Sequence, residues 1–581
     1  MTKYRYSTPD LTEQNSINSM KRLLTPLLAL IGCFVAEAGK APNFILIYTD
    51  DLGYADTSVQ MMDKDPSTKH DFIQTPGLER LAKLGARFTA TYAPTPTCTG
   101  SRISIQFGKT SARMQYRNVF DVLSFYQRPD GYEDESTMGE MLKEAGRNYV
   151  TAMFGKGASA LGRFENAGYD VTDELPGEPG GNGNGHGSYW DPKNRTPFPP
   201  DNPKRVHSLR KDSVAFVNKY ASKQPFFVMV NHYVPHIPHM ATKEAFERCK
   251  KRWISQDRDT DKIDIPKSSV HREITYAAMI EEMDLNIGAL IDALKANGEL
   301  ENTYIIFTSD NGGGHSRKEK IDGENRRFNG PLQEGKRSIF EGGIRVPTVI
   351  AGPGIKAGSQ CDVPIAQWDF LPTFHDLSDS KAPLPKDVDG GSLRDVFVNG
   401  NKGRVKRGAP GIIHHYTCHY HPPISSIIIG DYKLMRHLNS GEIRLYNLKA
   451  DYREEHDLHT AMPDKAAKMD EIRRKYVEDV DGGTAEQVRE ALYKTMDRFS
   501  RQSKDGFRKK LAELKKKKPT DFEAQKAALL KALNEKLKKN ELNKEKTRQH
   551  AELHSWREST PKKDAEAIVD AKWVDLTEKD L

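Results

Sequence analysis

The chain has 581 residues, 37% of them hydrophobic and 9% aromatic, with 44 glycines. That composition excludes a disordered chain and allows a large core with one or two smaller units. The net charge of +7 is unevenly placed: Lys504 to Arg548 holds 16 Lys and Arg against 7 Asp and Glu, a local +9 that leaves −2 for the rest. The main body is therefore near neutral, and the basicity belongs to one segment.

At the N-terminus, Met20-Lys21-Arg22 leads into an apolar run from Leu23 to Val35, then Ala36-Glu37-Ala38. This is the order of a secretory signal, and the run is shorter than the ~20 residues a spanning helix needs. Residues 1–38 are predicted to be an upstream extension (1–19) plus a signal peptide. Cleavage is expected after Ala38, or before Cys33 as in a lipoprotein, so the protein is expected to be exported, periplasmic or extracellular. Past the signal only Cys98, Cys249, Cys361 and Cys418 remain, too few over such a length for a disulfide framework.

"PNFILIYTDD" predicts a fully buried strand ending in two carboxylates. "GLERLAKLGARF", Gly77 to Phe88, has apolar residues at helical spacing and a glycine near its end, so a helix returning to a strand is expected. "TMGEMLKEAGRNYVTAMFGK" and "SLRKDSVAFVNKYASKQPFFVMVNHY" repeat the pattern, and a long amphipathic helix in "REITYAAMIEEMDLNIGALIDALKANG" precedes the buried strand "TYIIFTSDNGG". This rhythm predicts an α/β fold, a large, mostly parallel central sheet sandwiched by helices, over 42–384. From about Asp379 the texture changes: "IIIGDYKLMRH" and "EIRLYNL" are short alternating strands, and "DKAAKMDEIRRKYVEDV" is helical. A smaller C-terminal α+β subdomain is predicted over 385–482. A basic helical tail is expected over 483–581, with Leu530, Leu533 and Leu537 at helical spacing. The glycine-rich "PGEPGGNGNGHGS", Pro176 to Ser188, matches no phosphate-binding spacing.

In open parallel sheets, ligands bind beyond the carboxyl ends of the strands. Those ends carry Asp50 and Asp51, Lys156, His236, and Asp310 with Asn311. Three carboxylates and an amide carbonyl are hard oxygen ligands, suited to Ca²⁺ or Mg²⁺ rather than zinc. Cys98 lies between "APTPT" and "TGSR". A lone cysteine is most simply an inert buried thiol. Here the small Thr99, Gly100 and Ser101 allow a turn and Arg102 supplies a cation, which is more the setting of a nucleophile.

Taken in order, "CTGSR", "FGK", "PHIP", "TSDNGG" and "EGKRSIFEGGIRVP" resemble the type I sulfatases of the alkaline-phosphatase superfamily, over roughly Pro42 to Leu458. The resemblance implies that Cys98 is oxidised by a formylglycine-generating maturation enzyme, and that the hydrate of the resulting formylglycine is the nucleophile. It implies that Arg102 stabilises the modified residue. It further implies one Ca²⁺ on Asp50, Asp51, Asp310, Asn311 and the modified Cys98, with Lys156, His236 and Lys336 around the sulfate. The expected reaction is hydrolysis of a sulfate ester, with sulfated carbohydrate as the substrate. Two alternatives remain on the same fold: a phosphodiesterase or phosphonate hydrolase, and a binding protein without turnover.

The chain departs from the family pattern in three places. Gly100 stands where the family has proline or alanine, and Phe107 precedes Gly108 where threonine is usual. "FGKGASALG" has Gly157 and Ala158 where the family has tryptophan and histidine, the histidine being often assigned as the base that releases sulfate. His186, His232 and His239 lie within reach of that role, though each is more simply a surface or supporting residue. Cys249, in "FERCKKRW", is expected to be a helix-surface or semi-buried thiol, and Cys361 and Cys418 are expected to be structural. His414, His415 and His419 in "HHYTCHYH" are candidates for substrate contact more than for metal. The lysine-rich tail is expected to be a solvated helix, with anionic polysaccharide or the cell envelope as its alternative partners. Nucleic acid is not expected, since the tail interleaves few aromatics.

Overall fold

The computed structural model describes residues 40–114, 135–157, 164–173 and 199–552, excepting 262, 267, 315–319, 322–323, 326–328, 417–422, 439, 481–484 and 518. The leader, the loop Pro176–Ser188, Ala158, His186, Cys418 and His419 lie outside these residues.

An eight-stranded sheet forms the centre. Its strands in chain order are β1 (Asn43–Asp50), β2 (Ala86–Phe88), β3 (Val150–Gly155), β4 (Val171–Thr172), β5 (Phe226–Pro235), β6 (Thr303–Ser309), β7 (Thr348–Ala351) and β8 (Ser359–Cys361). Their spatial order is β8-β2-β7-β6-β1-β5-β3-β4. β1, β5, β6 and β3 are continuous apolar runs because both faces of each are covered. β1 runs parallel to β5 and β6, and β5 parallel to β3. The one reversal is β7, antiparallel to both β6 and β2. Register brings the strand ends level: Thr49 pairs with Ser309, Asp50 with Pro235, and Gly155 with Asn231.

Alternate side chains serve opposite faces. On one face Ile45, Ile47, Val228 and Val230 join the core under α1 (Pro76–Leu84), α4 (Val206–Tyr220), α5 (Lys243–Ser255) and α6 (Ser269–Ala296). On the other, Phe44 stacks 4.4 Å from Phe374 and Phe227 meets the same ring edge-on, under the helix Phe370–Leu377. α2 (Cys98–Phe107) and α3 (Met138–Glu144) pack beside that helix. Cys249 of α5 is fully buried, and burial first, then Glu281, pushes its thiol up to about 12. This corrects the expectation of a helix-surface or semi-buried thiol, since the side chain is fully buried. Every third or fourth side chain of α5 turns inward, and Cys249 shares that row with Ala245 and Trp253.

A second, antiparallel sheet follows, made of β9 (Ile412–Tyr416), β10 (Ile424–Ile429), β11 (Tyr432–His437) and β12 (Ile443–Asn447) in that order. α7 (Pro463–Asp479) covers it through Ala466, Met469, Tyr476 and Val477. The lysine-rich segment is two helices, α8 (Ala485–Lys517) and α9 (Phe522–Glu552), which pack on each other.

Candidate active site

The level strand ends gather Asp50 and Asp51 from β1, Lys156 from β3, His236 from β5, and Asp310 and Asn311 from β6. Lys336 and the α2 pair Cys98 and Arg102 complete the cluster. Lys156 Nζ donates to Asp50 at 2.5 Å, and Lys336 Nζ to Asp51 at 2.6 Å. Asn311 Nδ2 donates to Asp51 at 2.9 Å, and His236 Nε2 lies 3.6 Å from the same carboxylate. The Asp51 backbone holds a left-handed φ of 67°, tied by its N–H to Asp310 Oδ1 at 3.1 Å. A non-glycine residue held there stores strain, a feature that clusters at functional sites.

Arg102 is the organiser beneath. It is 1% exposed. Its Nε donates to Asp310 at 2.8 Å, and its terminal nitrogens donate to Lys156 O at 3.0 Å, Asn231 Oδ1 at 3.1 Å and Thr49 O at 3.2 Å. Its guanidinium also lies 5.0 Å from the Tyr48 ring centre. One fork thus joins the ends of β1, β3, β5 and β6, and that supporting position is where the structure puts Arg102.

Charge in the cluster follows burial and pairing. Burial raises the Asp50 carboxyl, but Lys156 foremost, then His236 and Arg102, hold it well below the usual carboxylate range. Asp51 is likewise lowered, chiefly by Lys336 against burial. Burial lifts Asp310 to about 7, with Asp50 adding and Arg102 opposing. Lys156 and Lys336 are raised, the carboxylates outweighing burial, so both are cations. Burial draws His236 down to about 4.

Within this ring two buried oxygens, Asp50 Oδ1 and Asn311 Oδ1, have no hydrogen-bond partner. A buried acceptor without a partner costs about 1–3 kcal/mol, and more when charged. Ligand atoms of Asp50, Cys98 and Asp310 lie within 4.8 Å of one another, as do those of Asp50, Asp51 and His236. Three carboxylates and an amide oxygen, two of these oxygens unpaired, fit a hard divalent cation.

Cys98 is half-buried at the first turn of α2, where backbone N–H groups favour an anion. The turn before it is internally bonded: Ser101 Oγ donates to Thr95 O at 2.9 Å and accepts from Thr95 N. A downstream segment clamps the same turn, with Arg337 N on Pro96 O and Ile344 O on Ala93 N, both at 2.7 Å. That segment presents Lys336, whose N–H donates to Gly313 O. Gly312 is obligatory here, since a Cβ would stand 1.8 Å from Gly342 O. The second sheet anchors the segment's far end: Lys433 Nζ of β11 donates to Ile339 O at 2.8 Å and to Glu341 at 2.9 Å, and pairs with Glu454 Oε1 at 2.8 Å.

The departures from the family pattern have local partners. A Cβ on Gly157 would stand 2.4 Å from the Phe164 ring, which fills the space a larger residue would need. His232 is buried behind Arg102, with Nε2 3.2 Å from the Asn286 amide. His239 packs on Tyr276 with ring centres 5.2 Å apart. His414 and His415 are buried on β9, and His414 Nε2 contacts Ala93 O at 2.9 Å, on the loop leading to Cys98.

Sequence reasoning missed Asn231, Lys433 and Lys204. Lys204 is buried, and burial above all draws it to about 7 against the carboxylates of Asp50 and Asp51. Its backbone and that of Arg205 are both left-handed, at φ 54° and 57°. Arg205 pairs with Asp173 at 2.7 Å, and Asp173 accepts from Gly155 N, next to Lys156. Nothing in "NPKRVH" marks a buried lysine.

A cluster of carboxylates on the ends of a parallel sheet, ringed by lysines and facing a helix-borne cysteine, matches the ester hydrolases of the alkaline-phosphatase superfamily. The sulfatase family model matches residues 42–380, and that of the N-sulphoglucosamine sulphohydrolase C-terminal region matches residues 333–480. The chain belongs to the sulfatase family and is a sulfuric ester hydrolase. It is 26% identical over 554 residues to a sulfatase of Formosa agariphila, covering 81% of this chain and 94% of that one. It is 27% identical to human arylsulfatase A, covering 65% and 71%. It is 26% identical to rat N-acetylgalactosamine-6-sulfatase, covering 66% and 70%. Two solved structures share the fold. Ps i-CgsB with neocarrahexaose has TM-score 0.59 and 24% identity, covering 75% of this chain and 93% of that one. BT4656 with D-glucosamine-2-N,6-O-disulfate has TM-score 0.56 and 22% identity, covering 76% and 98%.

Proposed function

We propose that the protein is an exported, Ca²⁺-dependent sulfatase that removes sulfate from a sulfated carbohydrate, with Cys98 converted to formylglycine. The observation that carries this reading is the unpaired Asp50 and Asn311 oxygens inside a ring of Lys156, Lys336 and Cys98. Asp50, Asp51, Asp310 and Asn311 would hold the cation, which would supply charge for the sulfate oxygens. The aldehyde hydrate of residue 98 would supply the attacking hydroxyl. Lys156 and Lys336, both cationic, move from carboxylate to sulfate and offset charge as it builds. His236 Nδ1 lies 2.6 Å from the Ile237 carbonyl, which can only accept. The neutral ring therefore carries its proton on Nδ1, and Nε2 faces the cluster as an acceptor. This leaves Lys336 as the proton donor to the leaving alcohol. The carbohydrate substrate is supported by the N-acetylgalactosamine-6-sulfatase relative and by the sugars bound to the two fold neighbours. Export is supported by the Met20–Ala38 leader.

Mass spectrometry across Cys98 in protein from the native host tests the reading: a peptide about 18 Da lighter than the thiol form is expected. An unmodified thiol throughout would refute it. Turnover of aryl sulfate should exceed that of phosphate diesters, and the reverse would favour a phosphodiesterase.

A further inference from the structure

We propose that the α8–α9 hairpin is a polyanion-binding arm that holds sulfated polysaccharide apart from the catalytic cluster. The two helices close on an apolar seam of Phe507, Leu511, Leu533 and Leu537, with Phe522, Leu529 and Leu530 packed against it. On α8 the seam residues Phe507, Leu511 and Leu514 recur at the spacing of one helix face. Outside the seam the exposed positions are mostly charged or small.

That charge is ordered. Arg508 and Lys515, Lys509 and Lys516, and Lys510 and Lys517 are all exposed and form three pairs seven residues apart. Each pair repeats on one face two turns, about 10 Å, along the axis. On α9, Lys531, Lys536 and Lys539 are exposed as well. The segment carries +9 on a chain otherwise at −2. A surface of this kind attracts a repeating polyanion, and salt screens the attraction.

The structure favours polysaccharide over the other anionic polymers. Insertion into a bilayer surface needs an exposed apolar face. Among the described residues, no exposed large hydrophobic belongs to the hairpin. Single-stranded nucleic acid needs aromatic platforms, but of the hairpin's aromatic side chains among the described residues, Phe507 is buried in the seam and Phe522 packs against it. The choice of a sulfated polymer rests on the carbohydrate reading above.

The test uses the full-length protein and fluorescent dextran sulfate, with neutral dextran, duplex DNA and phosphatidylserine vesicles as comparators. A variant carrying Lys509→Glu, Lys510→Glu, Lys516→Glu and Lys517→Glu is compared with the wild type, and a second set changes the same lysines to glutamine in case charge reversal unfolds the hairpin. Dextran sulfate should bind in a salt-dependent way, the variants should bind at least about tenfold more weakly, and their kcat/KM on a small aryl sulfate should match wild type. Unchanged dextran sulfate binding by folded variants would overturn the proposal, as would equal or tighter binding of DNA or vesicles. Polymer binding that persists in a protein with no aryl sulfatase activity would count against the catalytic reading and leave this one standing.

Discussion

Replacing Lys433 by methionine tests how the second sheet supports the site. The lysine bonds Ile339 O, Glu341 and Glu454, and all three charged groups are fully buried. Glu341 would keep Arg345 at 3.2 Å and the Tyr92 hydroxyl at 3.0 Å, while Glu454 would lose its one cation among the described residues. Breaking a buried pair in this way costs about 3–5 kcal/mol. Burial foremost, with Glu341 adding and Lys433 opposing, already lifts Glu454 to about 7 from 4.5. Between those values the folded state keeps a proton that the unfolded chain has lost, so this group's contribution to stability falls as pH rises through the window. Without Lys433 the folded value rises further and the fall continues above pH 7. The deficit should therefore be larger at pH 8 than at pH 5, where Glu454 is protonated in both folded proteins, by up to about 1 kcal/mol. Urea midpoints at the two pH values, taken in EDTA, measure it. Because Ile339 and Glu341 follow Lys336 closely, kcat/KM on an aryl sulfate should also drop, by about tenfold. A deficit under about 1 kcal/mol at pH 8, or an equal deficit at both pH values, would refute the reasoning.

Asp310→Ala should abolish activity and calcium-dependent thermal stabilisation together, and retention of either tells against the cation assignment. Gly312→Ala forces a Cβ onto Gly342 O and should lower stability by about 3 kcal/mol or more; a wild-type melting temperature would show that the turn has room. Lys204 has a folded pKa of about 7 against 10.5, so it binds fewer protons folded than unfolded across that window, and wild-type stability rises with pH there. Lys204→Met should therefore raise the melting temperature most at or below pH 7, by up to about 5 kcal/mol of stability, with the gain vanishing near pH 10.5. A fall in melting temperature at pH 6.5 would show that the buried amine is held by more than its desolvation suggests.

The central sheet was legible because its strands are covered on both faces: "FILIY", "FFVMV" and "YIIF" are unbroken apolar runs, and polar residues follow only where each strand leaves the core. The same rule exposed Asp50, Asp51, Lys156, His236, Asp310 and Asn311 as one set, since parallel strands place their ends on one edge. Lys336 needed the family resemblance, because it arrives on an irregular segment with no period of its own. β9 escaped notice because His414 and His415 interrupt "GIIHHYT" and are polar by type though buried in fact. The antiparallel β7 between β6 and β2 depends on pairings far apart in the chain. The hairpin was hidden because its seam is shared by two helices, and Leu533 and Leu537 show their partners only once Phe507 and Leu511 face them.

The clamp on the turn before Cys98 also sets an order in time. Thr91 and Tyr92 pair with Val346 and Arg345, and Ala93 and Pro96 with Ile344 and Arg337. These partners lie roughly 240 residues further along the chain, which at about 5–20 residues per second separates their synthesis from that of Cys98 by about 10–50 s. Throughout that interval the approach to Cys98 lacks these native partners and stays open to the proposed maturation enzyme. Once residues 337–346 arrive, the same backbone is taken up in native pairing. Under the proposed conversion of Cys98, modification and closure of the fold would compete for one stretch of chain, and slowing synthesis between residues 98 and 337 should raise the modified fraction.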